Sequence, residues 1–456
     1  MAKDITKIAH PEYVRYMADY MMIRDCYRGA RAIKDAADLY LPRLSGQSED
    51  DYKNYKTRAL FFPITGKTAT SMVGLATTKP PKVQFPSGME AYFSDTETEY
   101  QFTEFYVGVF TEVVLMGRYG VLIDAPPPPS QGEPTLVPYI AENILRWEFS
   151  GGVIVDLLLR EHVYVKGDQQ FEMKQVCRYR HCYINDAGIY TTETLDDEFK
   201  LIPGTMVMPM FSGETISYIP FTPFGSSGIH YSVDKPPMLD ISTINISHYM
   251  SSADLEWGRH LTGLPTPVVS GVDSSTSLKI GGTSAWILPP AEAKAYFMEF
   301  LGQGLQSLEK AMVEKVSLMA SVSARMIDNS TRGSEAAETV RLRYMSESAG
   351  LIHIINAVES GLTMMYNMLA RLRKAQGPVS IQFSREIIGL GIQFKDLKIL
   401  FDAYLQGSIS KETLLFNLRR LEAVDPNRTD SDELAAIRDP APPASNNQPA
   451  ANPPSQ

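Results

Sequence analysis

Thr65, Gly66, Lys67 and Thr68 carry the ending of a phosphate-binding loop, G-x-x-x-x-G-K-[ST], in which glycine-rich backbone cradles phosphate and the lysine meets its outer oxygens. The glycine that opens such a loop would stand where the chain has Phe61. The loop also needs a buried strand before it, whereas ALFFPI at 59–64 sits in a helical pattern broken by Pro63. A helix-packing segment is expected here, with a nucleotide-binding enzyme using Lys67 as an alternative. Gly225, Ser226, Ser227 and Gly228 approach a nucleophile elbow, G-x-S-x-G, but Ile229 occupies the place of the last glycine, so a turn is expected. Cys177, His181 and Cys182 have metal-ligand chemistry, yet in a strand from Phe171 to Ile184 alternation sends Cys182 to the face opposite the other two. The seven histidines form no H-E-x-x-H pattern and no C-x-x-C pair is present. No catalytic, cofactor or metal site is expected, and the chain reads as a protein other than an enzyme.

What must position these residues is a large folded body. A chain of 456 residues exceeds the size at which one core stops growing, and 44% hydrophobic with 21% charged residues gives a globular composition. The net charge of -10 argues against a surface that coats nucleic acid, which needs clustered Lys and Arg. The N-terminus lacks an apolar run after its basic residues and no stretch approaches membrane-spanning length, so no membrane is expected as a partner. Three cysteines cannot all pair within one chain, which suits a reducing compartment.

Apolar spacing predicts one or two helices over 10–45, a helical run over 52–77 interrupted at Pro63, and an apolar helix from Phe102 to Met116 ending on Gly117. Gly120 to Asp124 reads as a buried strand, and 137–226 as mostly β, with strands over 152–165, 171–184, 189–194 and 216–221. After Pro236 and Pro237 a helix follows to Leu261, then a Gly- and Ser-punctuated insert with short β pieces, then a helix from Ala291 to Ala320. A polar segment, SVSARMIDNSTRGSE, separates it from the longest helical signal, roughly Ser334 to Gln376, closed by Gly377 and Pro378. In that helix Leu351, Ile355, Val358, Leu362, Met365, Leu369 and Leu372 alternate in steps of four and three. A core-facing stripe is the expectation over an autonomous coiled coil, because only about three heptads are visible. A strand and two short helices carry the chain to Val424, and a Pro-, Asn- and Ala-rich tail follows, expected to be disordered.

Three phrases, YLPRLSGQ at 40–47, YKNYKTRALF at 52–61 and VGLATTKPP at 73–81, together with this order of elements, resemble the portal proteins of tailed bacteriophages, in particular a short portal family. The resemblance implies an α+β portal fold. Its parts would be a wing at 1–235, a first stem helix at 236–261, a clip at 262–290 and a second stem helix at 291–320. A tunnel loop at 321–334, a long helix at 335–376, a C-terminal wing or short crown at 377–424 and a tail at 425–456 complete it. Many portals build a large helical crown, and this chain has only short helices there. The implied work is a homo-oligomeric ring, commonly a dodecamer, at one capsid vertex of the virion, assembled in the bacterial cytoplasm. Such a ring passes double-stranded DNA during packaging and ejection, nucleates capsid assembly with major capsid protein and scaffold, and docks terminase and then a tail adaptor. Arg325, Asp328, Asn329 and Arg332 would lie in the DNA-channel loop, and Gly263, Pro265, Pro267, Gly281 and Gly282 in the clip that partners meet. Another head–tail connector protein is the alternative within the same structural class.

Overall fold

The computed structural model describes residues 5–94, 101–125, 133–167, 171–262, 266–270, 294–298, 303–327, 349–385 and 401–420. The chain forms two compact units, Met1–Ile387 and Ile388–Gln456.

The first unit opens with α1 (Pro11–Arg28), whose proline occupies the first turn, where its missing N–H costs nothing. Gly29, at φ 91, breaks α1 from α2 (Ala30–Asp35), a conformation only glycine adopts without strain. Ser48 caps α3 (Glu49–Arg58) by accepting from the Asp51 N–H, and Pro63 starts α4 (Ile64–Ala76). The short strand β1 (Lys82–Gln84) precedes α5 (Phe102–Met116), which is buried along most of its length and stops where Gly117 turns left-handed at φ 64.

Two antiparallel sheets follow. β2 (Arg118–Asp124) is the central strand of the first, flanked by β3 (Thr135–Ile140) and by β10 (Phe221–Gly225). The second runs in sequence order through β4 (Ile144–Ser150), β5 (Val153–Lys166), β6 (Met173–Ile184) and β7 (Tyr190–Leu195). One face of it buries Leu157, Leu159, Cys182 and Tyr190, while the other carries Asp156, His181 and Glu193, the alternation of a half-covered sheet. Residues 216–221, expected as a strand, lead into β10 instead, because Phe221–Gly225 is the stretch that registers with Arg118–Leu122. A small hairpin, β8 (Met210–Phe211) and β9 (Glu214–Thr215), lies between β7 and β10.

Next come α6 (Leu239–Thr262), β11 (Thr266–Ser270), β12 (Lys294–Met298), α7 (Gln303–Ile327) and α8 (Ala349–Leu372). β11 and β12 pair antiparallel with Val268 opposite Tyr296. This corrects the expected helix at 291–320: Lys294–Met298 form a strand, because pairing with β11 satisfies their backbone groups, and α7 starts at Gln303. A second correction lies at the other end, where α7 continues through Ser321 to Ile327, so Arg325 sits on a helix rather than in a loop. Ser, Ala, Arg and Met all extend a helix already nucleated by its preceding turns.

All seven stripe residues of α8, Leu351 to Leu372, are buried, among α4, α5, β10 and β13 (Ser380–Gln382). β13 pairs with β1, tying the end of this unit to its beginning. A buried arginine fixes the helices to the sheets: Arg24 on α1 donates to Glu112 on α5 and to Glu142 before β4, both at 2.7 Å. In the second unit Ser410 caps α9 (Lys411–Arg420) by accepting from the Thr413 N–H, and Leu414 and Leu415 are buried.

Candidate functional site: the paired helices and their strand cap

α6 and α7 lie antiparallel. Gly258 faces Leu305, Arg259 pairs with Glu309 at 2.8 Å, and Lys315 donates to the Ser247 carbonyl and to Ser251 Oγ, so contacts on α6 descend as those on α7 ascend. The two-stranded β11–β12 ribbon stands in the chain between the ends of the two helices. The side of α6 that meets the body is polar as well as apolar: Ser242, Asn245, His248, Ser251 and Ser252 are all buried. Asn245 accepts from the N–H and hydroxyl of Thr65 and donates to the Phe62 carbonyl, and Ser252 accepts from the Leu60 N–H. Tyr55 donates to Asp254 at 2.6 Å. These bonds place α6 at one register on α3 and α4, since a one-turn slide would strand each buried donor. Lys315 and burial together push His248 below the ordinary imidazole range, burial being the larger cause.

α7 differs in kind. Met319 is buried, but Val313 is 69% and Leu318 54% exposed, and Val316 is partly uncovered. A long helix with one buried side and apolar residues outside it has the surface expected of an element that meets another chain.

The linker 226–238, which leads into α6, holds a cluster that sequence reading touched only at Ser226 and Ser227. Asp234 accepts from Ser226 Oγ at 2.9 Å, from the Ser227 N–H at 2.9 Å and from Ser227 Oγ at 2.9 Å, while His230 Nε2 lies 2.7 Å from Ser227 Oγ. Serine, histidine and aspartate are thus together, but in the wrong order for nucleophilic catalysis. The carboxylate sits on the serine, where its charge opposes alkoxide formation, and His230 Nδ1 faces Ser232 instead of an acid. The cluster is a turn that fixes how the chain enters α6. Spacing of four between His230 and Asp234 was the signal available in the sequence.

Gly66, Lys67 and Thr68 are the third to fifth residues of α4 and do not lie in a loop after a strand. Gly66 lets the helix approach the Tyr27 carbonyl, which an added Cβ would meet at 3.3 Å. Thr68 is buried and the Lys67 ammonium rests 5.0 Å from the centre of the Phe62 ring. Cys182 is fully buried, Cys177 half-buried, and no group of metal-ligating side chains occurs among the described residues. No helix among them is long and apolar enough to cross a membrane. Of the expected clip residues Pro267 is on β11, while Gly263, Pro265, Gly281 and Gly282 lie outside the described residues. Asp328, Asn329 and Arg332 of the expected channel loop, and residues 335–348 of the long helix, also lie outside them.

A family model described as a domain of unknown function, DUF4055, matches residues 237–372, the stretch from α6 through α8. Curated protein sequences give no significant match. Among solved structures the chain is similar to a chain from the virion of a native gene transfer agent particle (12% identity, 90% of this chain and 99% of that one, TM-score 0.39). It is also similar to a chain from the neck of an empty particle computed with C6 symmetry (12% identity, 89% and 99%, TM-score 0.40). A third, from the neck of a native particle computed with C12 symmetry, has 12% identity over 84% of this chain and 98% of that chain, with a TM-score of 0.41.

Proposed function

We propose that the chain is the subunit of a phage portal, a ring at one capsid vertex that passes double-stranded DNA and has no catalytic role. The observation that carries this reading is the succession of paired helices with a strand ribbon between them, followed by a long helix rooted in an α+β body. The outward Val313, Val316 and Leu318 of α7 support it, since neighbouring copies would cover them. In this reading α6 and α7 are the stem and β11–β12, with Pro267, is the clip that docks terminase and then the tail adaptor. The segment after α7, with Asp328, Asn329 and Arg332, would then reach the channel, with Arg325 near the end of α7. The net charge of -10 suits a conduit that must let phosphate slide. Major capsid protein and scaffold would meet the wing in the virion.

The test is the assembly state of the full-length chain. Sedimentation should show a large homo-oligomer, and negative-stain images a ring with a central hole. A single 50.8 kDa species across a wide concentration range would overturn the reading.

A further inference from the structure

β5 and β6 outrun the sheet they belong to. β4 covers β5 only over residues 153–159 and β7 covers β6 only over 179–184, so 160–166 and 173–178 continue as a ribbon with no third strand among the described residues. A ribbon of two strands is marginal in water by itself. Both of its faces are apolar in part: Val163 stands opposite Val176 on one, while Tyr164, 64% exposed, and Met173, 59% exposed, lie on the other. Neither stretch contains proline, one of the devices that keep an exposed strand edge from pairing.

Two hydrogen bonds fix where the backbone groups of the ribbon point. Gly167 donates its N–H to the Glu172 carbonyl at 2.8 Å, which makes these two a bonded pair, and bonded pairs alternate along an antiparallel ladder. Val165, Val163 and Glu161 therefore face β6, while Lys166, Tyr164 and His162 turn their N–H and C=O groups outward. On the other strand the Asn185 N–H donates to the Ile189 carbonyl at 3.0 Å, so Tyr183, His181 and Tyr179 face β7. Cys177 and Gln175 carry that outward row past the end of β7. The ribbon thus has two open edges, on opposite sides and of different sequence. A two-fold dimer pairs an edge with itself, whereas a ring brings the second edge of one neighbour to the first edge of the next. The two sequences already fit as antiparallel neighbours within the chain, with Glu161 opposite Arg178, Val163 opposite Val176 and Tyr164 opposite Gln175. Copies in a ring of many subunits differ by a small rotation, so β6 of one runs antiparallel to β5 of the next, as it does to its own.

We propose that the outer edge of β5, at His162, Tyr164 and Lys166, accepts the outer edge of β6, at Gln175 and Cys177, of a second copy, a main-chain contact that joins neighbouring subunits strand to strand. It rests on the ring reading above and adds a second interface to that of α7. Amide hydrogen exchange of the full-length assembly, read at single residues, tests it. The amides of His162, Tyr164, Lys166, Gln175 and Cys177 should exchange at least about tenfold more slowly than unpaired amides of the same sequence. Gln175→Pro removes one outward donor and leaves the ladder to β5 intact, because that N–H points away from β5. With an unchanged far-UV spectrum, this variant should return Tyr164 and His162, on the far edge of the ribbon, to fast exchange. A large assembly whose five amides exchange as unpaired ones, or slow exchange on the β5 edge that survives Gln175→Pro, would overturn the strand contact and leave the ring standing. A chain that stays at 50.8 kDa would overturn both.

Discussion

His181 on β6 lies between two acids on neighbouring strands: Nε2 is 2.7 Å from Asp156 on β5 and Nδ1 is 2.9 Å from Glu193 on β7. Only the imidazolium can donate from both nitrogens, so the geometry selects the charged form. Burial alone would lower its pKa, but the hydrogen bonds and charges of the two carboxylates outweigh it and the pKa is raised. A raised folded-state value means that stabilisation is complete below the ordinary imidazole pKa and is lost as pH rises through the folded one. Stability of the wild type should therefore fall between about pH 6.5 and the higher folded value, and His181→Asn should be less stable below that window by roughly 1–2 kcal/mol. Urea titrations at several pH values check it, and a variant whose stability tracks the wild type at every pH would refute the charge-selection argument. None of this was legible in the sequence, where the three residues are 25 and 12 positions apart and only strand register joins them. The separation of Cys177 from Cys182 was legible, because alternation along one strand needs no partner.

At the scale of elements, local signals were readable and pairing at a distance was not. The four-and-three stripe of α8 announced a buried face, and all seven residues are buried because each comes from one helix with one period. Lys294 to Met298 carries no strand signal of its own because it is a strand only by virtue of β11, and α7 runs past the apolar pattern that ends at Ala320 because a polar segment can prolong a helix. Close approach is also hidden in the sequence. Gly361 on α8 faces Phe224 on β10, and an added Cβ would stand 2.6 Å from the ring of that fully packed side chain. Replacing glycine by alanine in a helix ordinarily stabilises by roughly 1 kcal/mol. Here the clash should reverse the sign, with Gly361→Ala destabilising by about 1–3 kcal/mol as overpacked cores do. Gly350→Ala, at an exposed helical position with open space around it, is the control and should be neutral or better. Equal effects from the two substitutions would show that the α8–β10 contact is loose.

At the scale of the molecule, a helix whose partners lie on two sides builds a different assembly from one that meets a single twin. Val313 and Leu318 are five residues apart, about 140° around α7, so they flank the side that packs on α6 rather than sharing one patch. A two-fold dimer would cover one patch with its copy; a ring gives every subunit a left and a right neighbour that touch different surfaces. Either flank is then indispensable. On the proposed ring, Val313→Glu or Leu318→Glu should each abolish assembly, because a carboxylate pressed into an apolar contact costs several kcal/mol and recurs at every interface. Both positions are more than half exposed, so the isolated fold should tolerate the charge, with far-UV spectrum and unfolding midpoint close to wild type. Mixing the two variants separates the ring from the dimer. In the proposed ring the intact Leu318 flank of one variant has no intact Val313 flank to meet except on the other, so the mixture should yield at most pairs that cannot close, whereas wild type should sediment as the closed ring. Survival of the large species in either single variant would remove α7 from the interface.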